Sequence, residues 1–272
     1  MRVTVWGEGF LDLASLGGQP PPLKYTDYAE VARRIYPEEV HGAIAGGLRE
    51  VLGSAAEVQT ASLDDPESGL GQELLEGTDV LVWWSHVKEH LIPDPAVERV
   101  RERILRQGMG LVALHSGAQS RVFRSLMGTR CGTSGWRQSD DWEAIWTVSP
   151  GHPIARGLPP VFVLPTEEVW CEPFDIPEPD ELVFLSTFRG GEVFRSGCCY
   201  RRGRGRIFYF RPGHESHPTY HLPEVLRLLA NAVSWAAEMV ATSHPEPVRA
   251  PGVDPAAIDR VTGELTEGWF CP

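Results

Sequence analysis

Three short apolar runs, each of which ends on a histidine, constrain the fold of this chain more than any other feature. These are residues 79–85 before His86, 109–114 before His115 and 206–213 before His214. Apolar runs of this length, bounded by turn residues, are typical of buried parallel strands. In open α/β sheets the ligand crevice lies outside the carboxyl ends of the strands. The sequence therefore predicts one pocket lined by the three histidines.

Strand-like and helical segments alternate along the first half of the chain. The strand-like segments are residues 2–6, 57–61, 79–85 and 109–114, and the helical segments are residues 38–52 and 94–108. A closing helix is expected over residues 223–240. This alternation predicts an α/β protein with a parallel sheet and right-handed crossovers.

From about residue 142 a series of shorter β-like runs replaces this rhythm. The runs are residues 144–148, 161–164, 182–187 and 196–201. They are interpreted as strands that extend the sheet or form a small β-rich excursion within the same domain. The segment from residue 241 onward is rich in Pro, Gly and acidic residues. We therefore expect a single domain over residues 1–240 and an extended C-terminal tail over residues 241–272.

Charge and cysteine usage restrict the classes of partner. The chain has a formal net charge of −12, which argues against nucleic acid and anionic membranes because both bind basic surfaces. No apolar stretch approaches the length of a membrane span, and no signal peptide is apparent. The five cysteines include no CxxC pair, so a cytoplasmic location is expected. Exposed sheet edges and the long tail favour a homo-oligomer.

Five segments in order carry a resemblance to the trehalose-utilisation (ThuA-like) family. They are residues 78–84, 109–117 (MGLVALHSG), 151–158 (GHPIARGL), 167–170 (EEVW) and 205–215 (GRIFYFRPGHE). The resemblance implies the flavodoxin-like fold of class I glutamine amidotransferases, a parallel sheet with helices on both faces. Those enzymes carry a cysteine in a nucleophile elbow, and His115 takes that position here. Glutaminase activity is not expected, because hydrolysis through a thioester needs the thiolate.

The resemblance also makes His214 and Glu215 the counterparts of the histidine and glutamate of the amidotransferase triad. Imidazole titrates near neutral pH and suits proton transfer. We therefore assign proton transfer to His115 and His214, orientation or assistance to Glu215, and binding of substrate or metal to His86. The alternatives are a core histidine at His115 and a solvated loop histidine at His86. The sequence contains no metal-cluster motif, but His86, His115 and His214 would also suit zinc, because three imidazoles with an open fourth position form a familiar zinc site.

Tryptophans and carboxylates suggest how a sugar would bind. Indole faces stack on the apolar faces of pyranose rings, and most tryptophans nevertheless belong to a core. Among Trp84, Trp136, Trp142 and Trp170, we expect one or two in the site, Trp84 and Trp170 first.

Three further polar residues are candidates for substrate binding. Ser116 follows His115 directly, and Glu168 matches the acidic position in the family's acidic–aromatic segment. Glu168 would act as an acid or accept a sugar hydroxyl; a surface glutamate is the alternative. Glu8 lies in the loop after the first strand, where the family often places a polar or histidine residue.

These residues lead to a functional hypothesis and two rivals. The chain is expected to act in sugar catabolism, on trehalose-like disaccharides or their 3-keto derivatives, by histidine-mediated proton transfer. A conventional glycosidase would need two carboxylates flanking the bond, and Glu168 and Glu215 are the candidates for that pair. The rivals are a non-catalytic sugar-binding or regulatory module and a metal-dependent hydrolase.

Overall fold

The structure, a computed structural model, describes residues 1–10 and 23–239. The expected C-terminal tail at 241–272 lies outside the described residues, as does most of the loop predicted after the first strand. The described helices are α1 Leu23–Ile35, α2 Glu39–Leu52, α3 Gln72–Glu76, α4 Asp94–Gln107, α5 Arg121–Met127 and α6 Pro223–Ala236. None of them is long and apolar enough to cross a membrane.

A mixed sheet of nine strands forms the centre of the described part of the chain. The strands are β1 Arg2–Gly7, β2 Glu57–Ser62, β3 Val80–Trp84, β4 Gly110–Leu114, β5 Thr133–Thr147, β6 Val161–Phe174, β7 Glu181–Phe188, β8 Val193–Arg202 and β9 Gly205–Phe210. Their order is β2-β1-β3-β4-β9-β8-β7-β5-β6. Neighbours from β2 to β9 run parallel, and the pairs from β9 to β6 run antiparallel.

Two apolar cores cover the two faces of the parallel strands. In β3, Val80 and Val82 face a core that includes α2 and α6, whereas Leu81 and Trp83 face a core that includes α4 and α5. All five residues of β3 and of β4 are buried. A strand that is covered on both faces needs apolar residues at every position, which is why these strands appear in the sequence as continuous apolar runs.

In the second half of the chain, the expectation that the β-like runs extend the sheet is confirmed, whereas the alternative of a small β-rich excursion and the expectation of a purely parallel sheet are wrong. Four antiparallel strands, β5 to β8, continue the same sheet, and β5 and β6 form a ribbon of 15 and 14 residues. The short connections explain the direction. Only two residues, Gly203 and Arg204, separate β8 from β9, and a connection this short joins antiparallel strands, whereas a parallel pair needs a long crossover.

The register of the parallel strands lines up their carboxyl ends. Gly7 pairs with Trp84, Trp84 with Leu114, and Leu114 with Phe210. The residues that follow these four positions therefore leave the sheet side by side at one edge. This edge carries the candidate site.

Candidate functional site

Four chain segments leave the sheet at this edge. They carry the candidate residues that follow the parallel strands. Glu8 follows β1, His86 follows β3, His115 follows β4, and His214 with Glu215 follows β9. The β5–β6 ribbon supplies Glu168 and Trp170. The strand ends thus bring the three histidines together, as their positions in the sequence predict.

His115 lies at a sharp turn from strand to helix. Its φ of 50° lies in the left-handed region, which residues other than glycine rarely adopt. Gly117 allows the turn to approach β3, because a Cβ at this position would lie 3.0 Å from the Trp83 ring. This geometry resembles a nucleophile elbow, which projects one side chain into a crevice, with imidazole in place of a nucleophile.

The three imidazoles form a tight cluster. One ring nitrogen from each of His86, His115 and His214 lies within 4.8 Å of those of the other two. Their ring centroids are 4.8 to 5.5 Å apart, and each pair meets edge to face. His115 and His214 are buried, whereas the side chain of His86 is 18% exposed. The cluster therefore meets solvent at His86.

Hydrogen bonds fix the protonation pattern of the rings. His115 donates from Nδ1 to the Arg211 carbonyl at 3.2 Å, because a carbonyl can only accept. Nε2 of His115 is buried and has no hydrogen-bond partner among the described residues. In neutral His115 this nitrogen carries a lone pair. His214, in contrast, accepts the Ser216 backbone N–H at Nδ1 over 3.2 Å, so its ring proton is placed on Nε2.

The charge of the cluster resides on His86 and Glu215. Burial alone would lower the pKa of His86, but the Glu215 carboxylate, 2.9 Å from Nδ1, raises it to about 9. Burial would raise the pKa of Glu215, but the neighbouring His214 and His86 hold it below its ordinary value. At neutral pH the pair is therefore an imidazolium and a carboxylate.

His115 and His214 are neutral at the same pH. Burial lowers the pKa of His214 to about 3 despite the nearby Glu215. Burial also holds the pKa of His115 well below its ordinary value, and His214 and His86 lower it further. One imidazole cation thus lies beside two neutral imidazoles.

Glu168 completes a chain of proton-transfer groups. Its Oε2 lies 3.7 Å from Nε2 of His115 and accepts the indole N–H of Trp170 at 2.6 Å. Burial raises the pKa of Glu168 to about 7, so this carboxyl exchanges protons near neutral pH. The alternative of a surface glutamate is wrong, because Glu168 is buried.

Glu8 positions the loop that carries His86. Its two carboxylate oxygens accept the backbone N–H groups of Val87 at 2.8 Å and Lys88 at 2.9 Å. Burial raises the pKa of Glu8. The expected contact of Glu8 with substrate stays a prediction, and the observed contacts are those of a positioning residue.

Trp84 and Trp170 border the cluster but are buried, with 4% and 3% of their surface exposed. The Trp84 indole N–H donates to the Gly213 carbonyl at 3.0 Å, and the Trp170 ring lies 5.4 Å from the His115 ring. Ser116 is also buried, within the turn at His115. The predicted sugar contacts of all three residues stay predictions.

Sequence reasoning missed three charged residues beneath the site. Arg211 is fully buried, donates from Nη1 to the Glu168 carbonyl at 2.5 Å, and forms an ion pair with buried Glu143. Glu167 accepts the Gly213 N–H at 2.8 Å and the Thr219 hydroxyl at 2.8 Å. For Arg211 and Glu143 the signal was a charged residue next to an apolar run, because such a residue needs a partner when it is buried.

The hydrogen bonds of His86 and His115 orient both rings for zinc binding, whereas those of His214 do not. The Nδ1 bonds of His86 and His115, to a carboxylate and to a carbonyl, leave Nε2 available in the way that metal-binding histidines require. Nδ1 of His214 accepts a backbone N–H, which places the ring proton on Nε2, where a metal would bind. The trio therefore fits a metal only if the His214 ring turns.

A surface cavity of about 530 Å³ lies elsewhere, beside Arg2 and Glu57 at the amino ends of β1 and β2. Four of its eleven lining residues are acidic, and none is a histidine. None of the candidate site residues lines this cavity, so it contributes nothing to the chemistry described above.

Fold and site together define an α/β protein with a histidine cluster at the carboxyl edge of a large mixed sheet. The family model described as trehalose utilisation, ThuA, matches residues 35–236. The chain belongs to this family, as the five sequence segments indicated. No curated protein matches the sequence.

Solved structures share the fold at low sequence identity. A protein from Parabacteroides merdae that is described as ThuA-like has a TM-score of 0.57 and 13% identity, with 92% of this chain and 95% of that chain covered. A cytoplasmic protein from Salmonella typhimurium has a TM-score of 0.57 and 13% identity, with 90% and 100% covered. A ThuA-like protein from Bacteroides uniformis has a TM-score of 0.54 and 14% identity, with 86% and 90% covered. At this identity the likeness shows the fold alone.

Proposed function

We propose that the protein binds a trehalose-like disaccharide or its 3-keto derivative at the histidine cluster and moves a proton from the carbon next to the keto group. Family membership supports the sugar. The observation that carries the chemistry is the unpartnered, buried Nε2 of His115 beside the His86 imidazolium. A base and a cationic donor in contact are what enolisation of a ketone requires.

Each residue has a defined part in this reaction. Nε2 of His115 accepts the proton from the carbon, and the imidazolium of His86 stabilises the negative oxygen of the enolate. Glu215 keeps His86 charged, and Nε2–H of His214 donates to a substrate oxygen. Glu168, 3.7 Å from His115, returns the proton to the product. If the proton leaves C2 of a 3-keto sugar, the C1–C2 double bond forms and the C1–O bond breaks, and the proton taken by His115 passes through Glu168 to the departing oxygen.

Deuterium incorporation tests this proposal directly. The protein is incubated with 3-keto-trehalose in D₂O, and exchange and product formation are followed by NMR and mass spectrometry. His115→Ala and His214→Ala are expected to lose at least tenfold in rate, whereas His90→Ala, at an exposed position, serves as the matched control. Wild-type rates in both site variants, with folding intact, would refute the proposal.

The two rivals give different outcomes in the same set of measurements. A sugar-binding or regulatory module would bind trehalose or 3-keto-trehalose in calorimetry without exchange or product. A metal-dependent hydrolase is supported by the orphaned Nε2 of His115 within a three-histidine cluster. It would contain near-stoichiometric metal after purification without an affinity tag, would lose that metal in His115→Ala, and would be inactivated by chelators.

We further propose that residues 1–240 form one domain with a flavodoxin-like parallel part. The order β2-β1-β3-β4-β9, which matches the 2-1-3-4-5 order of flavodoxin-like sheets, and the continuity of the nine-stranded sheet support this. Assembly with further copies of the chain is proposed because β6 is an edge strand with exposed Val161 and Val163. A cytoplasmic location and the absence of nucleic-acid partners stay part of this proposal.

A further inference from the structure

One face of the β5–β6 ribbon is turned toward the histidine cluster. Trp136 of β5 pairs with Trp170 of β6, and directly paired residues place their side chains on the same face of a sheet. Because side chains alternate along a strand, Gln138 and Glu168 share that face. Four side chains therefore form this face: Trp136, Gln138, Glu168 and Trp170.

Three of the four contact the site. Glu168 lies 3.7 Å from Nε2 of His115, and the Trp170 ring lies 5.4 Å from the His115 ring. Gln138 donates from Nε2 to the Ser216 hydroxyl at 3.3 Å, and that hydroxyl lies 2.8 Å from Nδ1 of His214. The fourth member is Trp136, on the neighbouring strand β5 of the same face.

Trp136 differs from the other tryptophans at this edge in its exposure. It is 58% exposed, whereas Trp84 and Trp170 are buried and use their indole N–H groups within the protein. An exposed indole is an apolar surface with two open faces and a polar edge, which suits the apolar face of a pyranose ring. A single exposed aromatic side chain means little, but this one shares its face with three residues that contact the site.

We propose that Trp136 is the stacking platform for the second sugar ring of a disaccharide whose first ring lies at the histidines. The proposal rests on the proposed function, and it adds the substrate class: a two-ring sugar rather than a monosaccharide. The Gln138 amide adjoins both the platform and Ser216 and reaches hydroxyls between the two rings. Trp170, in contrast, is the wall of the inner subsite.

The chain offers a matched control for Trp136. Trp146 lies on the same strand β5, is 47% exposed, and donates its indole N–H to Thr187 at 3.1 Å. It pairs with Val161 and Leu185 at the far end of the ribbon. Trp146→Ala therefore removes an exposed indole of the same strand without touching the face at the histidines.

Calorimetric titration of wild type, Trp136→Ala, Trp136→Phe and Trp146→Ala with trehalose, 3-keto-trehalose and glucose tests the proposal. Trp136→Ala is expected to lose about tenfold or more in affinity for the disaccharides and less than twofold for glucose. Trp136→Phe is expected to retain part of the affinity, and Trp146→Ala all of it. This pattern separates a platform for the second ring from general damage to the site.

Three other outcomes overturn the proposal. An unchanged disaccharide affinity in Trp136→Ala, with binding lost in His115→Ala, would leave the proposed function standing and reject the platform. An equal loss for glucose and disaccharides would place Trp136 in the inner subsite. Failure of the wild type to bind any of the three sugars would reject both the platform and the proposed function.

Discussion

Nδ1 of His86 and Oε1 of Glu215 lie 2.9 Å apart, and this contact sets the charge of the whole cluster. Three imidazoles so close together cannot all be protonated, because like charges at this distance disfavour one another. The carboxylate selects His86 as the cation and leaves His115 and His214 neutral. An acid and a base thus coexist at one pH within one site.

Glu215→Gln is expected to remove the cation. Burial of the ring persists while the principal attraction is lost, so the pKa of His86 should fall from about 9 toward 6.5. NMR titration of the histidine ring carbons, with His86→Ala to assign the signal, measures this. A His86 that still titrates near 9 in Glu215→Gln would contradict the assignment of the ion pair.

The same pair predicts a pH dependence of stability. The folded pKa of His86, about 9, exceeds the ordinary value of 6.5, so its contribution to stability is complete below pH 6.5 and is lost as the pH rises through 9. The loss corresponds to about 3 kcal/mol at 1.36 kcal/mol for each unit. The difference in free energy of unfolding between wild type and Glu215→Gln should shrink between pH 6.5 and 9.5. A difference that stays constant would speak against the pair.

Glu168→Gln is expected to stabilise the fold at alkaline pH. The folded pKa of Glu168, about 7, lies above the ordinary 4.5, so the buried carboxyl costs stability as the pH rises from 4.5, and the cost is complete above 7. Glutamine keeps an oxygen for the Trp170 indole N–H and carries no charge. Urea unfolding should show that the variant gains about 3 kcal/mol relative to wild type between pH 4.5 and 8.

Glu102→Gln, on the half-exposed flank of α4, is the control for Glu168→Gln. It removes one carboxylate from a solvated surface, where ion pairs contribute little. Its effect on the free energy of unfolding should be small at pH 4.5 and at pH 8. If Glu168→Gln behaves in the same way, Glu168 is not held in a desolvated environment.

The edge of the sheet that carries the site was predictable from the sequence because parallel strands leave a local signal. Val80 to Trp84 and Gly110 to Leu114 are apolar at every position since both faces are covered, and the residue after each run must lie at the carboxyl edge. That rule places His86 and His115 at this edge, and His214 joins them because β9 pairs with β4.

The β5–β6 ribbon was not predictable in the same way. The pairing of β5 with β6 contains register shifts between Arg137 and Glu143, and each shift changes which side chains point to a given face of the sheet. Such irregularities depend on packing partners far away in sequence. Four of the nine strands therefore lie in the antiparallel part, and Trp136 shares a face with Trp170 only because the two residues pair. The burial of Arg211 likewise depends on Glu143, which is 68 residues away.

The buried pair of Arg211 and Glu143 leads to the fourth prediction. Both side chains are inaccessible to solvent, and the Ser186 hydroxyl donates to the second oxygen of Glu143. Glu143→Ala leaves the Arg211 cation buried without its partner, which typically costs about 3–5 kcal/mol. Urea unfolding should therefore show a loss of this size. The double variant Glu143→Leu with Arg211→Met should recover much of it, and failure to recover would mean that the pair is needed for packing rather than for charge balance.

Gly213 provides the last prediction because it shapes the turn that presents His214. Its φ is +124°, a region that only glycine occupies readily, and a Cβ here would overlap the Tyr220 hydroxyl. Gly213→Ala is expected to lose more than about 2 kcal/mol of unfolding free energy and to displace His214 from the cluster. Gly46→Ala, inside α2 with nothing within 4 Å of the added Cβ, should instead gain about 0.5–1 kcal/mol. Thermal and urea unfolding measure both variants, and a Gly213→Ala variant as stable as wild type would disprove the role of Gly213, because both the strain and the overlap act at that position.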